Sequence, residues 1–273
     1  NETTDSLQLE YLPFPNLSEI FLFRKLGSNR WESIVNSINK IYDLFYGDKN
    51  QNFIYENASF LYTEKLKNRI NYLKNIASKT KNKLLLKILN DGLKVNNKNL
   101  PSLNQTILEI NKNFYNFEKS RPLFFGHGDL CFNNILVEPL SGCIKLIDPK
   151  AEIINNKRLG FIDPYYDLAK LNHSFSCLYD SVVNNLFYLS IKKEYCILKI
   201  IKPKNYEVAN FYFKEKIIKN SKIDRNLLRI LTSNLFLSMS PLHQEDENKM
   251  CTFLIIGISL FYNVKLDIYM QEI

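Results

Sequence analysis

Three polar side chains near the middle of the chain, Asp129, Asn134 and Asp148, have the types and spacing that metal-assisted phosphoryl transfer asks for. Two segments supply them, His127-Gly128-Asp129-Leu130-Cys131-Phe132-Asn133-Asn134 and Lys145-Leu146-Ile147-Asp148-Pro149. Asn134 stands five positions after Asp129, and Asp148 fourteen after Asn134. Such a transfer leaves the protein little covalent work; positioning and neutralisation of charge are most of it. Asp129 would serve as base or orienter for an attacking hydroxyl. Asn134 and Asp148 would hold Mg²⁺ against the phosphates of a nucleotide.

A loop between short strands can fix such groups more tightly than a mobile surface loop, and the sequence predicts that setting. Leu123–Phe125, Ile135–Val137 and Cys143–Ile147 are strand candidates, the last two joined by a turn at Ser141-Gly142. The second strand of that pair would deliver Asp148 from its end. Before Pro122 the chain reads as nearly all helical. Residues 7–12 alternate enough for a short strand that Pro13 and Pro15 stop, and Asn16 or Ser18 could cap a first helix. Trp31, Ile34, Ile38, Ile41 and Phe45 make one apolar stripe up to Gly47. Leu66, Ile70, Leu73 and Ala77 make a second, and Leu84–Leu89 continues it to Asp91-Gly92. Residues 93–104 read as a polar loop, followed by a helix marked by Ile107, Ile110, Phe114 and Phe117. After the strands, a helix begins at Tyr165–Leu171. Tyr195–Ile201 and Tyr206–Phe213 are β-rich and predict a hairpin, with a helix as the alternative for the second run. Leu227–Leu237 and Glu245–Val264 are helical. The fold class is therefore α+β, mostly α-helical.

His127-Gly128-Asp129 with Asn134, followed by Ile147-Asp148-Pro149, resembles the aminoglycoside phosphotransferase and choline kinase superfamily. Protein kinases use a related pattern with Arg after the His and Phe-Gly after the second Asp. A third segment adds to the likeness: Gly160-Phe161-Ile162-Asp163-Pro164-Tyr165-Tyr166-Asp167-Leu168-Ala169 is similar to the Gly-Asp-Pro-x-x-Asp-Leu-Ala signature, with two extra residues after the Gly. The resemblance implies a kinase-like C-terminal lobe over residues 13–273, with catalytic and metal-binding loops at 127–149. It implies an ATP-dependent phosphotransferase, with ATP or another nucleoside triphosphate and Mg²⁺ as cofactors, and a small hydroxyl compound as partner. Choline, ethanolamine, an aminoglycoside or a sugar, the last in surface-polysaccharide synthesis, are the acceptor types it suggests. Asp167 would support the catalytic loop, and His127 would be a scaffold residue bonded to backbone. Residues 1–12 look like the hinge of such enzymes, with Glu10, Tyr11 and Leu12 presenting backbone groups to adenine. The small β-rich lobe that precedes the hinge in that superfamily, with its Lys, has no counterpart here and is expected upstream in the full protein. The alternative is a kinase-fold module that binds a nucleotide or partner without turnover.

Composition narrows the field. A net charge of +8 over 273 residues suits an anionic ligand such as a nucleotide, and also nucleic acid or an acidic membrane surface. The basic residues are diffuse, and Lys79, Lys81 and Lys83 read as the solvated face of a helix; no basic run carries interleaved aromatics, so nucleic acid is not expected as a partner. Five cysteines without CxxC spacing indicate neither a disulfide framework nor a zinc site and fit a reducing cytoplasm. Phe253–Val264, the longest apolar run, is too short to span a bilayer and reads as a buried helix. Cys131 reads as a packing residue, His173 and His243 as ordinary histidines, and Glu245-Asp246-Glu247 as a helix-start run answering the helix dipole.

Overall fold

The computed structural model describes residues 10–47, 53–114, 119–138, 140–150, 152–154, 157–192 and 195–272. Residues 10–12 are irregular, not the expected strand, whose first half (7–9) lies outside the described residues. Helix α1 (Leu17–Phe23) starts at Asn16, whose side chain accepts from Glu19 N at 2.8 Å. Helix α2 (Ser28–Tyr46) begins after Gly27 and buries Trp31, Ile34, Ile38 and Tyr42 along one stripe. Strand β1 (Phe53–Asn57) precedes α3 (Thr63–Thr80), which buries Leu66, Ile70, Leu73 and Ala77. A left-handed Lys81 (φ 52°) separates α3 from α4 (Lys83–Asn90), which Asn82 caps. Lys79, Lys81 and Lys83 are exposed.

The polar stretch after α4 is not a plain loop but a hairpin, β2 (Leu93–Val95) and β3 (Lys98–Leu100), turned by Asn96 and Asn97 at φ 42° and 66°. Asparagine tolerates that left-handed backbone, so a turn of this type needs no glycine. Helix α5 (Leu103–Asn113) follows, with Phe114 buried at its end and Phe117 outside the described residues. Next come β4 (Ser120–Phe125), β5 (Ile135–Val137), β6 (Ile144–Leu146), β7 (Glu152–Ile154), β8 (Lys157–Leu159) and β9 (Phe161–Ile162). Helix α6 (Pro164–Phe175), α7 (Tyr179–Val183), β10 (Phe187–Ile191) and β11 (Cys196–Ile201) complete the middle. Of the two readings of the second β-rich run, the structure takes the helix, α8 (Tyr206–Phe213), which runs through a π-turn at 214–218 into α9 (Lys219–Ser221). Long helices α10 (Arg225–Met239) and α11 (Glu247–Phe261) and strand β12 (Met270–Gln271) end the chain.

The strands make small sheets: β1-β4-β9, then β10-β11-β2-β3 with β12 on β11, and the hairpins β5–β6 and β7–β8. The core is mainly helical. Its aromatic spine passes directly under the candidate loop. Trp31 meets Phe21 edge-on at 5.9 Å, Phe21 meets Phe132 at 5.2 Å, Phe132 meets Phe175 at 4.5 Å, and Phe175 stacks on Phe213 at 4.6 Å. Helices α1, α2, α6 and α8 thus grip the loop through one of its own residues. Helix α11 is buried from Lys249 to Phe261, and among the described residues no helix is long and apolar enough to cross a membrane.

Candidate functional site

The loop that leaves β4 carries His127, Gly128 and Asp129, and its shape is set from helix α6. Asp167, fully buried, accepts from the backbone N–H groups of His127 (3.0 Å) and Gly128 (3.1 Å) through one oxygen and from Leu130 N (3.4 Å) through the other. The Tyr46 hydroxyl donates to it at 2.5 Å. Burial pushes this carboxyl up, while the four donors favour its charged form. Asp167 can reach the loop because α6 starts where it does. Asp163 caps the helix by accepting from Tyr165 N at 3.0 Å, Pro164 occupies the first turn, and Arg121 Nε pairs with Asp163 at 2.9 Å.

Gly128 sits at φ +76°, and a Cβ there would lie 3.1 Å from Ile162 Cδ1 and 3.2 Å from Lys150 Cβ. Glycine suits both the left-handed backbone and the close approach. His127 binds backbone on both ring nitrogens: Nδ1 accepts from Asp129 N at 3.2 Å, so Nε2 is the donor to Ile147 O at 2.9 Å. The Asn134 side chain donates from Nδ2 to Asp129 O at 2.9 Å, and Asn134 O accepts from Ile147 N at 3.1 Å. The start of β5 and the end of β6 are therefore stitched to the loop that carries Asp129.

Asp129 has two partners that sequence reading did not anticipate. Lys170 Nζ lies 2.8 Å from one carboxylate oxygen and Lys150 Nζ 2.9 Å from the other. Burial alone would raise the Asp129 carboxyl; Lys170 and then Lys150 override it and hold the group well below the usual carboxylate range. Burial alone would likewise lower Lys170, and Asp129 reverses that. The only clue to Lys170 was a lysine within Leu168-Ala169-Lys170-Leu171, one helical turn from Asp167 and so on the same side of the helix. Lys150 follows Asp148 by two residues, and its backbone N–H donates to His127 O at 2.8 Å.

Asp148 stands just past β6 in the left-handed region (φ 54°), exposed, with no side-chain bond to the described residues. Asn134, donating through its nitrogen, keeps its amide oxygen for another partner. A carboxylate and an amide oxygen form the hard donor set that Mg²⁺ takes when phosphates and waters fill its remaining positions. Among the described residues no group of three or more His, Cys, Asp or Glu could cage a metal unaided. The hinge-like residues behave differently. Glu10 and Tyr11 are exposed and Leu12 is partly buried, and the segment bonds to β5 at Pro15 and Asn16, through Val137 N to Pro15 O (3.0 Å) and the Asn16–Leu136 bridge.

The remaining candidates take structural roles. Cys131 is buried, which pushes its thiol up to about 12, far from a reactive thiolate. His173 is buried against the Tyr179 ring (4.0 Å) and is held neutral by burial and by Lys170. Asp246 of the acidic run caps α11, accepting from Lys249 N at 3.0 Å. A groove of about 720 Å³ beside α3 and α5, lined by Lys67, Asn71, Lys74 and Asn111 among others, contains none of the loop residues. No family model matches the chain, and no curated protein matches it.

Proposed function

We propose that the chain is the helical, acceptor-binding part of an ATP-dependent phosphotransferase acting on a hydroxyl of a small molecule. One observation carries this reading: a rigidly suspended loop offers Asp129 next to Asn134, with the exposed Asp148 at the end of the adjoining strand. The three segments that hold this arrangement together are the ones that resemble the aminoglycoside phosphotransferase and choline kinase superfamily, and the kinase-like lobe is proposed on the same ground. Asp129, kept ionised, accepts the hydrogen bond of the incoming hydroxyl and aims it; so well-stabilised a carboxylate is an orienter more than a store for the proton. Asn134 and Asp148 would hold Mg²⁺, which when bound supplies neutralisation of the phosphate charge. Asp167 and His127 keep the loop from relaxing when substrate enters, so the geometry is built before binding.

The test uses the natural full-length protein with Mg²⁺, ATP and a panel of alcohols including sugars, choline, ethanolamine and aminoglycosides. Asp129→Asn should leave ATP affinity near the parent value and lower transfer roughly 10²–10⁴-fold, the usual range for a positioned acid–base group. Asp148→Asn should weaken Mg·ATP binding as well. Normal turnover by Asp129→Asn would refute the assignment. Binding of Mg·ATP with no transfer to any acceptor would favour a nucleotide-binding module.

A further inference from the structure

Asp129 brings one negative charge to its surroundings, and Lys150 and Lys170 bring two positive ones. The other nearby carboxylates do not redress the balance. Asp167 is engaged with the loop backbone and Tyr46, Asp163 is paired with Arg121, and Asp180 is sealed in the interior. Asp148 is exposed and, on the reading above, is taken up by the metal. Among the described residues one positive charge therefore remains uncompensated where an acceptor must place its hydroxyl.

The two lysines differ in what they can do with that charge. Lys170 has a side chain only 6% exposed, and its ammonium also touches the Met239 sulfur at 3.6 Å. It is a fixed counter-ion for Asp129. The Lys150 side chain is 42% exposed, yet its root is pinned by the bond to His127 O and packed against Gly128. An anchored backbone with a half-exposed ammonium held by Asp129 is a built recognition group, unlike a stray surface lysine. When an acceptor hydroxyl takes up its bond to Asp129, the Lys150 ammonium is the partner that can be released to meet a new anion.

We propose, building on the phosphotransferase reading, that the acceptor carries an anionic group (a carboxylate or a phosphate) next to the hydroxyl it presents to Asp129, and that Lys150 selects it. Cationic acceptors such as choline and aminoglycosides are disfavoured by the same two ammoniums, because a like charge brought to contact distance in a partly buried site is strongly repelled. Anionic polyols, sugar acids or sugar phosphates, fit the charge.

The test separates this inference from the reading beneath it. Binding of D-gluconate, glucose 6-phosphate, D-glucose and choline to the natural full-length protein is measured by ligand-observed NMR without nucleotide, for the parent and for Lys150→Gln. At least one anionic polyol should bind the parent about tenfold or more tightly than glucose and choline, a difference of about 1.4 kcal/mol. Lys150→Gln should remove most of that preference, and added salt should weaken it in the parent. The gluconate and glucose 6-phosphate arms tell carboxylate from phosphate. Choline binding as tightly as the anions, no binding of either anion, or an unchanged ranking in Lys150→Gln would each overturn the proposal. Transfer of labelled phosphate from Mg·ATP to the same compounds is then assayed. Anion-selective binding with no transfer refutes the phosphotransferase reading and leaves the selectivity; equal transfer to choline does the reverse.

Discussion

The side chain on which the loop depends most is Asp167, because it alone satisfies three backbone N–H groups of the segment around Asp129. Replacing it by Ala leaves those donors buried without acceptors, at roughly 1–3 kcal/mol each before any relaxation. Water entering the vacated space would recover part of this, so a loss of about 3 kcal/mol is expected for Asp167→Ala, seen as a lower denaturant midpoint with unchanged slope. Asp167→Asn keeps one acceptor oxygen and should fall between that variant and the parent. Nucleotide-dependent transfer should drop with stability in both. A variant that melts like the parent would show that Asp167 does not carry the loop. The pairing of this residue with its loop was an expectation of the resemblance carried by Gly160–Ala169, while its place at a helix start followed from Pro164. Lys150 and Lys170 could not be foreseen in the same way. Charge pairs between segments depend on which faces meet, and spacing along one chain does not report that.

Helices set the scaffold, and their packing explains which parts of the fold were legible. Helices α10 and α11 meet where Gly257 has no side chain. A Cβ there would lie 2.6 Å from Leu237 Cδ2 and 2.8 Å from Leu237 Cγ, and the Ser233 hydroxyl donates to Gly257 O at 2.7 Å. Ala is the better helix former by about 1 kcal/mol, but overpacking a filled core costs typically 1–3 kcal/mol. Leu237 is wholly buried and has little room to yield, so packing wins. Gly257→Ala should lower stability by about 1 kcal/mol, measured by denaturant unfolding; a stabilised variant would mean that the helices separate freely. The stripes of α2 and α3 were plain from sequence because each buries one face, so apolar residues recur at helical steps. The hairpin β2–β3 was hidden, since strands of three residues with exposed Lys94, Lys98 and Asn99 look like a loop. Residues 206–213 left strand and helix open. Their aromatic and β-branched residues favour a strand, yet burial of Tyr206, Ala209, Asn210 and Phe213 fits the faces of a helix, and packing against α2 and α6 overrides local propensity.

At the scale of the whole molecule the sharpest consequence lies in the pH dependence of stability, through the buried Asp180 on α7. Neither of its oxygens makes a well-formed hydrogen bond. The Ser18 and Ser174 hydroxyls beside it offset only part of the effect of burial, which pushes the carboxyl up to about 6. Its ordinary value is 3.8, so between these limits the folded protein holds a proton that the unfolded chain has released. Stability from this group is therefore full below about pH 4 and is lost as pH rises to about 6, a decline of about 3 kcal/mol by the linkage relation. Two other buried groups slope the opposite way. His173, held neutral, destabilises the fold as pH falls below its ordinary value of 6.5, and Asp129, held ionised by its lysines, does so below about pH 4. The raw stability profile mixes all three, and only a difference measurement isolates Asp180. Asp180→Asn keeps the shape and removes the titration. Free energies of unfolding for parent and variant, compared at pH 4.5, 6 and 7.5, should show the variant gaining on the parent as pH rises, by about 2 kcal/mol across that range, whatever fixed cost the new amide adds. A constant difference at all three values would show that Asp180 is ionised in the folded protein at acid pH, with the seam between α1, α6 and α7 open to water.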